Sequence, residues 1–168
     1  MSSSASLFRA AGALTRRIHS SALRSAEAAA ASELSVTIAT PPRPLVNNKV
    51  VNRITLPGRA GVFAIEKNSP PMLSELKPGT IRVDYPDNTS EEFFVPGGFV
   101  FKHPNNTVDV SAPDGVKLDQ IDADALRAAN AEATKKRDAA TPGSAEHAEA
   151  RIALDVYKAL GYSLKVTL

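Results

Sequence analysis

The chain has 168 residues, of which 43% are hydrophobic, 23% charged and 5% aromatic, and it contains no cysteine. That length suits one domain with a small appendage. The missing cysteine excludes disulfide scaffolds, iron–sulfur centres, thiolate zinc sites and cysteine nucleophiles. No apolar run approaches the roughly 18 residues of a membrane-spanning helix, so any membrane association is expected to be peripheral.

The formal charge of +2 is unevenly spread. Arg9, Arg16, Arg17 and Arg24 all precede the first acid, Glu27, in a stretch otherwise rich in Ser and Ala. Drawn as a helix, Leu7, Ala11, Leu14 and Ile18 fall on one side. This acid-free, Arg-rich, amphipathic pattern predicts a mitochondrial transit peptide over 1–25. Cleavage is expected before Ser20 or before Ala26. Loss of residues 1–25 removes four arginines and no acids, leaving 16 basic and 18 acidic residues and a net charge of −2. Such a chain has no general affinity for nucleic acid, whose binding rests on neutralising phosphates.

Residues 26–33 read as a flexible, alanine-rich lead-in. From 34 to 118, short β-branched and apolar runs alternate with Pro, Gly and Asn. Strands are predicted at 34–39, 45–46, 50–56, 62–65, 80–85, 91–95, 99–103, 107–111 and 116–118, the spacing of an all-β sandwich or barrel. Pro57-Gly58 and Pro78-Gly79 read as turns. Asp87-Asn88 and Asn105-Asn106 read as hairpin turns, and Gly97-Gly98 as a bulge or close backbone approach. Pro70-Pro71 assigns 67–77 to a loop, with a short turn around 72–76.

After Leu118 the period becomes helical. Asp122 is placed to cap a helix from Ala123 to Ala139, and Thr141-Pro142-Gly143 breaks it. Ser144 caps a second helix, expected to end near Leu160 with Gly161 just beyond. Its apolar stripe reads Ala145, Ala148, Ile152, Val156, Ala159 and Leu160; the first helix offers Leu126, Ala129 and Ala133. The helical hairpin therefore spans 119–162. It buries too little to stand alone and needs a surface on the sandwich or on a partner. The tail, 163–168, has β propensity.

The residues carry no recognisable catalytic set. His103 and His147 lack metal-ligand spacing to a second histidine, and no nucleophile elbow, phosphate loop or dinucleotide fingerprint occurs. Glu91 and Glu92, adjacent on one strand, point to opposite faces. Phe99 and Phe101 share a face and read as sandwich core. Phe93 and Phe94 read as core as well; because they cannot both point inward from one regular strand, the alternative is a contact patch for another subunit.

Three stretches then resemble a known family. Leu56-Pro57-Gly58-Arg59-Ala60-Gly61-Val62-Phe63-Ala64-Ile65 is similar to the "PG…G.FGI" stretch of the small central-stalk subunits of F-type ATP synthases, delta in mitochondria and epsilon in bacteria and chloroplasts. Pro71, followed by Leu76-Lys77-Pro78-Gly79, resembles the next motif. Glu92-Phe93-Phe94-Val95-Pro96-Gly97-Gly98-Phe99 resembles the family's "yFVsGGF". The family histidine before that proline is replaced: Ser69 occupies its place, and Pro70 stands between. The resemblance covers about 34–160 and implies a mainly β fold with added α: a ten-stranded β-sandwich followed by an antiparallel two-helix hairpin.

The implied role is a non-catalytic rotor part of the mitochondrial ATP synthase, on the matrix side of the inner membrane. The implied partners are the gamma subunit, the small mitochondrial epsilon subunit and the c-ring, with no cofactor and no metal. Candidate contact residues are Phe93, Phe94, Leu126, Ile152 and Val156. Some bacterial relatives bind ATP through an [IL]-D-x-x-R-A motif; Asp124, Arg127 and Ala128 match it, while Ala123 replaces the aliphatic residue, so a vestigial motif is expected. A stand-alone matrix β-sandwich that binds a ligand, or an enzyme with an unrecognised site, are the alternatives from other classes.

Overall fold

A computed structural model describes residues 33–167. The expected transit peptide and nearly all of the lead-in lie outside the described residues. Ten strands come first: β1 (Leu34–Ala39), β2 (Val46–Val51), β3 (Arg53–Gly58), β4 (Gly61–Glu66), β5 (Met72–Leu76), β6 (Gly79–Asp84), β7 (Ser90–Val95), β8 (Gly98–Lys102), β9 (Thr107–Ser111) and β10 (Val116–Lys117). A tight turn at Leu118–Gln120 leads to α1 (Ala123–Ala139) and α2 (Ala145–Leu164).

The strands form one curled sheet that folds over on itself. One half runs β4-β3-β6-β7-β10 and the other β5-β8-β9-β1-β2. The halves are joined through the single pair Gly58↔Leu76. All pairings are antiparallel except β1 with β9. The alternating inward residues Leu34, Val36, Ile38, Ile54, Leu56, Ile81, Val83, Phe93, Val95, Val108 and Val110 fill the space between, all at most 1% exposed. Period-2 alternation thus produces a β-sandwich, as the sequence predicts.

Local chemistry explains the turns. Asn88 and Asn106 adopt φ of 62° and 60°, the left-handed region that Asn tolerates best among non-glycine residues. Asp87 and Asn105 brace them by accepting hydrogen bonds from the backbone N–H groups of Thr89 and Thr107. Gly98 (φ 142°) is a close backbone approach: a Cβ there would lie 2.2 Å from the Ser111 carbonyl oxygen.

Several expectations are corrected. The run 50–56 is not one strand, because the chain passes from one half of the sandwich to the other at Asn52. There the Asn52 N–H donates to the Asp84 carbonyl and β3 takes up new partners. Pro57-Gly58 is the end of β3 rather than a turn; Arg59-Ala60 turns instead. The Pro57 carbonyl, aimed away from β4, accepts from the Lys77 N–H. The loop assigned to 67–77 contains β5, since Pro70-Pro71 blocks pairing only before Met72, after which five residues pair with β8.

The second helix is also longer than expected. Gly161 lies inside it, buried, and the helix closes at Lys165 in the left-handed region (φ 57°). Val166 N–H donates to the Gly161 carbonyl and Lys165 N–H to the Tyr162 carbonyl, the paired bonds of a Schellman closure. Ser163 and Leu164 are therefore helical, which corrects the β reading of the tail's first residues. Both N-caps match expectation: Asp122 accepts from Asp124 N–H and Ser144 from His147 N–H.

Candidate assembly surface

No group of three or more His, Asp or Glu side chains among the described residues is arranged to hold a metal ion. The polar clusters present are linked pairs and short chains. Glu91, on β7, accepts hydrogen bonds from Lys117 on β10 and from the Tyr85 hydroxyl at 2.6 Å. The Lys117 ammonium, and then the Tyr85 hydroxyl, hold the Glu91 carboxyl below the usual range. Burial, and secondly its bond to Glu91, push the Tyr85 phenol up. Lys49 of β2 lies 5.3 Å from the Tyr85 ring centroid. This chain of contacts ties the outer strands of the two sheet halves together (β2 of one, β10 of the other).

Lys102 is a second unexpected feature. Alternation along β8 sends it inward with Val100, and it is only 3% exposed. Its ammonium donates to the His103 carbonyl at 2.7 Å and to Asn106 Oδ1 at 3.2 Å. Burial lowers its pKa. Asn106 Oδ1 also accepts from the Asn68 N–H, which fastens the loop after β4 to the β8–β9 turn.

Phe93 lies in the sandwich core, 1% exposed. Phe94 faces the other way and is 4% exposed; its cross-strand partner is Thr80 of β6, the strand against which α2 packs. Leu126 of α1 is buried. Val156 is half-buried, and Ile152 is 64% exposed. The packed residues of α2 are Ala150, Leu154 and Gly161. The stripe expected over Ala145, Ala148 and Ile152 instead faces outward, one helical step from the buried face. Alanine is so evenly spread along α2 that hydrophobic spacing alone supports either face.

Between α1 and α2 lies a groove of about 500 Å³ lined by alanines, among them Ala133 and Ala150, and by the charged Glu132, Lys136, Glu146 and Glu149. Asp124 and Arg127 form an exposed ion pair at 2.6 Å on α1. His103 Nε2 is 2.9 Å from Asp109 Oδ2 at the sandwich surface.

The main surprise is on β8. Phe99 and Phe101 were expected in the core, but they are 51% and 39% exposed, because Val100 and Lys102 take the inward positions. Leu73 of β5 stands opposite Phe101 and is 64% exposed. Once 72–76 is recognised as a strand, the alternation Leu73–Glu75 beside Phe99–Phe101 marks this outer face. No periodicity in β8 alone says which of its two apolar sides is inside.

Residues 33–117 match the family described as "ATP synthase, Delta/Epsilon chain, beta-sandwich domain". The mitochondrial ATP synthase F(1) complex subunit delta of Dictyostelium discoideum is 32% identical over 142 residues, covering 84% of this chain and 83% of that protein. The mitochondrial ATP synthase subunit delta of Eremothecium gossypii is 33% identical over 165 residues and covers 98% of both chains. A chain in the OSCP/F1/c-ring structure of Euglena gracilis mitochondrial ATP synthase shares the fold, with a TM-score of 0.72 and 23% identity over 79% of this chain and 81% of that one.

Proposed function

The chain belongs to the ATP synthase delta/epsilon family, and on that premise we propose that it is a non-catalytic central-stalk subunit of the mitochondrial enzyme. It couples rotation of the proton-driven c-ring to the gamma shaft. The observation that carries this reading is the extent of the likeness. At 33% identity it runs through sandwich, hairpin and N-terminal segment alike, to a mitochondrial subunit delta of nearly the same length. The transit peptide over 1–25 directs the chain to the matrix, where it sits peripherally on the inner membrane. No described helix is long and apolar enough to cross a membrane.

The fold suits mechanical work. Rotation of one end of a stalk must arrive at the other without being absorbed in bending, and close-packed interiors compress little. The sandwich supplies such a body, clamped across its two halves by the Lys49, Tyr85, Glu91 and Lys117 contacts. The hairpin supplies a second surface. Exposed Ile152 and the groove lined by alanines and charged side chains are its open features, and the small epsilon subunit docks there. Asp124 and Arg127 serve α1 as an ion pair rather than as a nucleotide site.

Depletion of the protein tests the proposal. ATP synthesis driven by a proton gradient falls, and the ATPase head separates from the c-ring on native gels. Intact coupling and intact complexes after complete depletion would show the proposal to be wrong.

A further inference from the structure

A strand at the edge of a sheet presents unpaired N–H and C=O groups that another strand can use. Most of the open edges here are blunted. β2 carries a shift in its register with β1, a left-handed Asn48 (φ 44°) and an exposed Lys49. β10 is two residues long. On the open side of β5, the Glu75 carbonyl accepts from the Arg59 N–H and Leu76 pairs with Gly58. β4 is different. Its six residues, Gly61–Glu66, pair with β3 alone and include neither proline nor lysine.

The register says which groups of β4 are open. The Pro57 carbonyl turns away from β4 to accept from the Lys77 N–H. Leu56 and Gly58 therefore make the bonds toward β4, with Phe63 and Gly61 opposite them. Alternation then turns the N–H and C=O of Val62, Ala64 and Glu66 away from β3. Glu66 is occupied: its N–H donates to Ser69 Oγ and its carbonyl accepts from the Ser69 N–H. Among the described residues nothing bonds to the two outward groups of Val62 or the two of Ala64. Both side chains are exposed, Val62 at 70%.

An edge open at residues i and i+2 complements itself. With a two-fold axis at Phe63, an antiparallel copy sets Val62 opposite Ala64 and Ala64 opposite Val62. Two donors and two acceptors on each side are then all used, in four hydrogen bonds. The side chains that meet are a valine and an alanine, and residues 60–65 carry no charge to repel a copy. Each copy offers one such edge among the described residues, so pairing closes at two rather than growing into a fibre. We propose that the unassembled chain pairs with a second copy of itself through β4. Four bonds and two small side chains cover less than the roughly 800 Å² per partner of a standard interface, so the dimer is weak. This is a property of the free chain, independent of the stalk reading.

Sedimentation of the purified full chain between about 10 µM and about 1 mM brackets a weak interface. The mass is expected to rise toward that of two chains and to stop there. V62K combined with A64K sets lysines against lysines across the join and is expected to stay monomeric. The exposed positions should keep the melting temperature within about 3 °C of wild type. Mixing that variant with V62E combined with A64E should restore association. The absence of native cysteine allows a test of register. Directly opposed residues lie about 5.5 Å apart, within disulfide reach, whereas the two copies of Val62 are diagonal, about 7–8 Å apart. Under copper phenanthroline, V62C mixed with A64C should crosslink at least tenfold faster than V62C alone.

A wild-type chain that is monomeric at every concentration overturns the proposal and leaves the edge to a strand of some other protein. Growth past two copies overturns it as well. So does full association of V62K combined with A64K, which would place the join on another surface. Crosslinking of V62C alone as fast as the mixture would refute the antiparallel register on which the four bonds depend. None of these outcomes bears on the stalk reading, which the depletion experiment tests.

Discussion

The sandwich and the hairpin are both apolar on one side, yet they are held in different ways. Between the sheet halves, Leu, Ile, Val and Phe side chains are sealed from water almost completely. Along the two helices, the buried residues are Leu126, Ala133, Ala150, Leu154 and Gly161. Burial is worth roughly 25 cal/mol per Å² of apolar area, so an alanine seam contributes a small fraction of what Ile and Phe contribute. The junction also carries defects. Thr80 Oγ1, on the strand beneath α2, and Asn130 Oδ1, within α1, are buried without a hydrogen-bond partner. Each such atom costs about 1–3 kcal/mol. The hairpin is therefore stable because β6 lends it a surface, whereas the sandwich stabilises itself.

Phe93→Ala probes the stronger region and should have the largest effect. The ring is 1% exposed in the core, and truncating a buried Phe costs about 3–5 kcal/mol. The loss should be global: denaturant midpoints followed by sheet and helix signals should fall together. A variant that lost only its helices would reverse the comparison.

Leu154→Ala probes the weaker region. Leu154 is 3% exposed and is the largest buried side chain of α2. The expected cost is about 2–3 kcal/mol, at the low end for Leu because the thin seam can collapse. The loss should be local. Amide exchange is expected to speed up across α1 and α2 while the β-strand amides keep their protection. The peptide 119–168, cut free, should be mostly unfolded in dilute buffer. If that peptide is instead fully helical and monomeric, the contrast between the two regions fails.

Most of this division was legible in the residues. The change from period 2 to a helical period, the caps Asp122 and Ser144 and the turn residues Asn88 and Asn106 are local signals, and each appears where local chemistry places it. What could not be read were choices made by tertiary packing. The outward side of β8 is Phe99 and Phe101, although Lys102 is the residue that composition would have put outside. The neutral acceptors that permit its burial, the His103 carbonyl and Asn106, are aligned only by the turn after β8. Gly161 stayed helical because the closing bonds come from residues beyond it. The family resemblance was visible, but the exposed apolar face of Leu73, Phe99 and Phe101 depends on β5, which two prolines concealed.

The clasp across the sandwich gives a smaller, pH-dependent effect. Glu91 has its carboxyl pKa lowered in the fold, first by Lys117 and then by Tyr85. A depressed carboxyl contributes stability above its unfolded pKa, and the contribution is lost as pH falls through the folded value. Glu91→Gln should cost about 1–2 kcal/mol at pH 7. The difference from wild type should shrink below about pH 4, where the unfolded carboxyl also takes up a proton. A gap that persists unchanged at pH 3 would falsify the ionic account of the clasp.

Lys102 offers the finest discrimination, because it is a buried charge inside the strong region itself. Its ammonium is buried among neutral acceptors, with no carboxylate bonded to it. Burial lowers its pKa, so the charged form is less welcome in the fold than in the unfolded chain. Between the folded and unfolded pKa values the native state has shed a proton that the unfolded chain still holds. Stability should therefore rise with pH through that window. Lys102→Met keeps the length of the side chain and removes the charge. Asn106 Oδ1 loses the bond from Lys102 but retains the one from Asn68, while the His103 carbonyl loses the Lys102 donor. The variant should gain about 1 kcal/mol at pH 7, and the gain should fade above about pH 10. Chemical denaturation at the two pH values reads both numbers. A loss of stability at pH 7 would mean that the ammonium's two hydrogen bonds outweigh its desolvation. The sandwich would then depend on polar contacts more than its apolar interior implies.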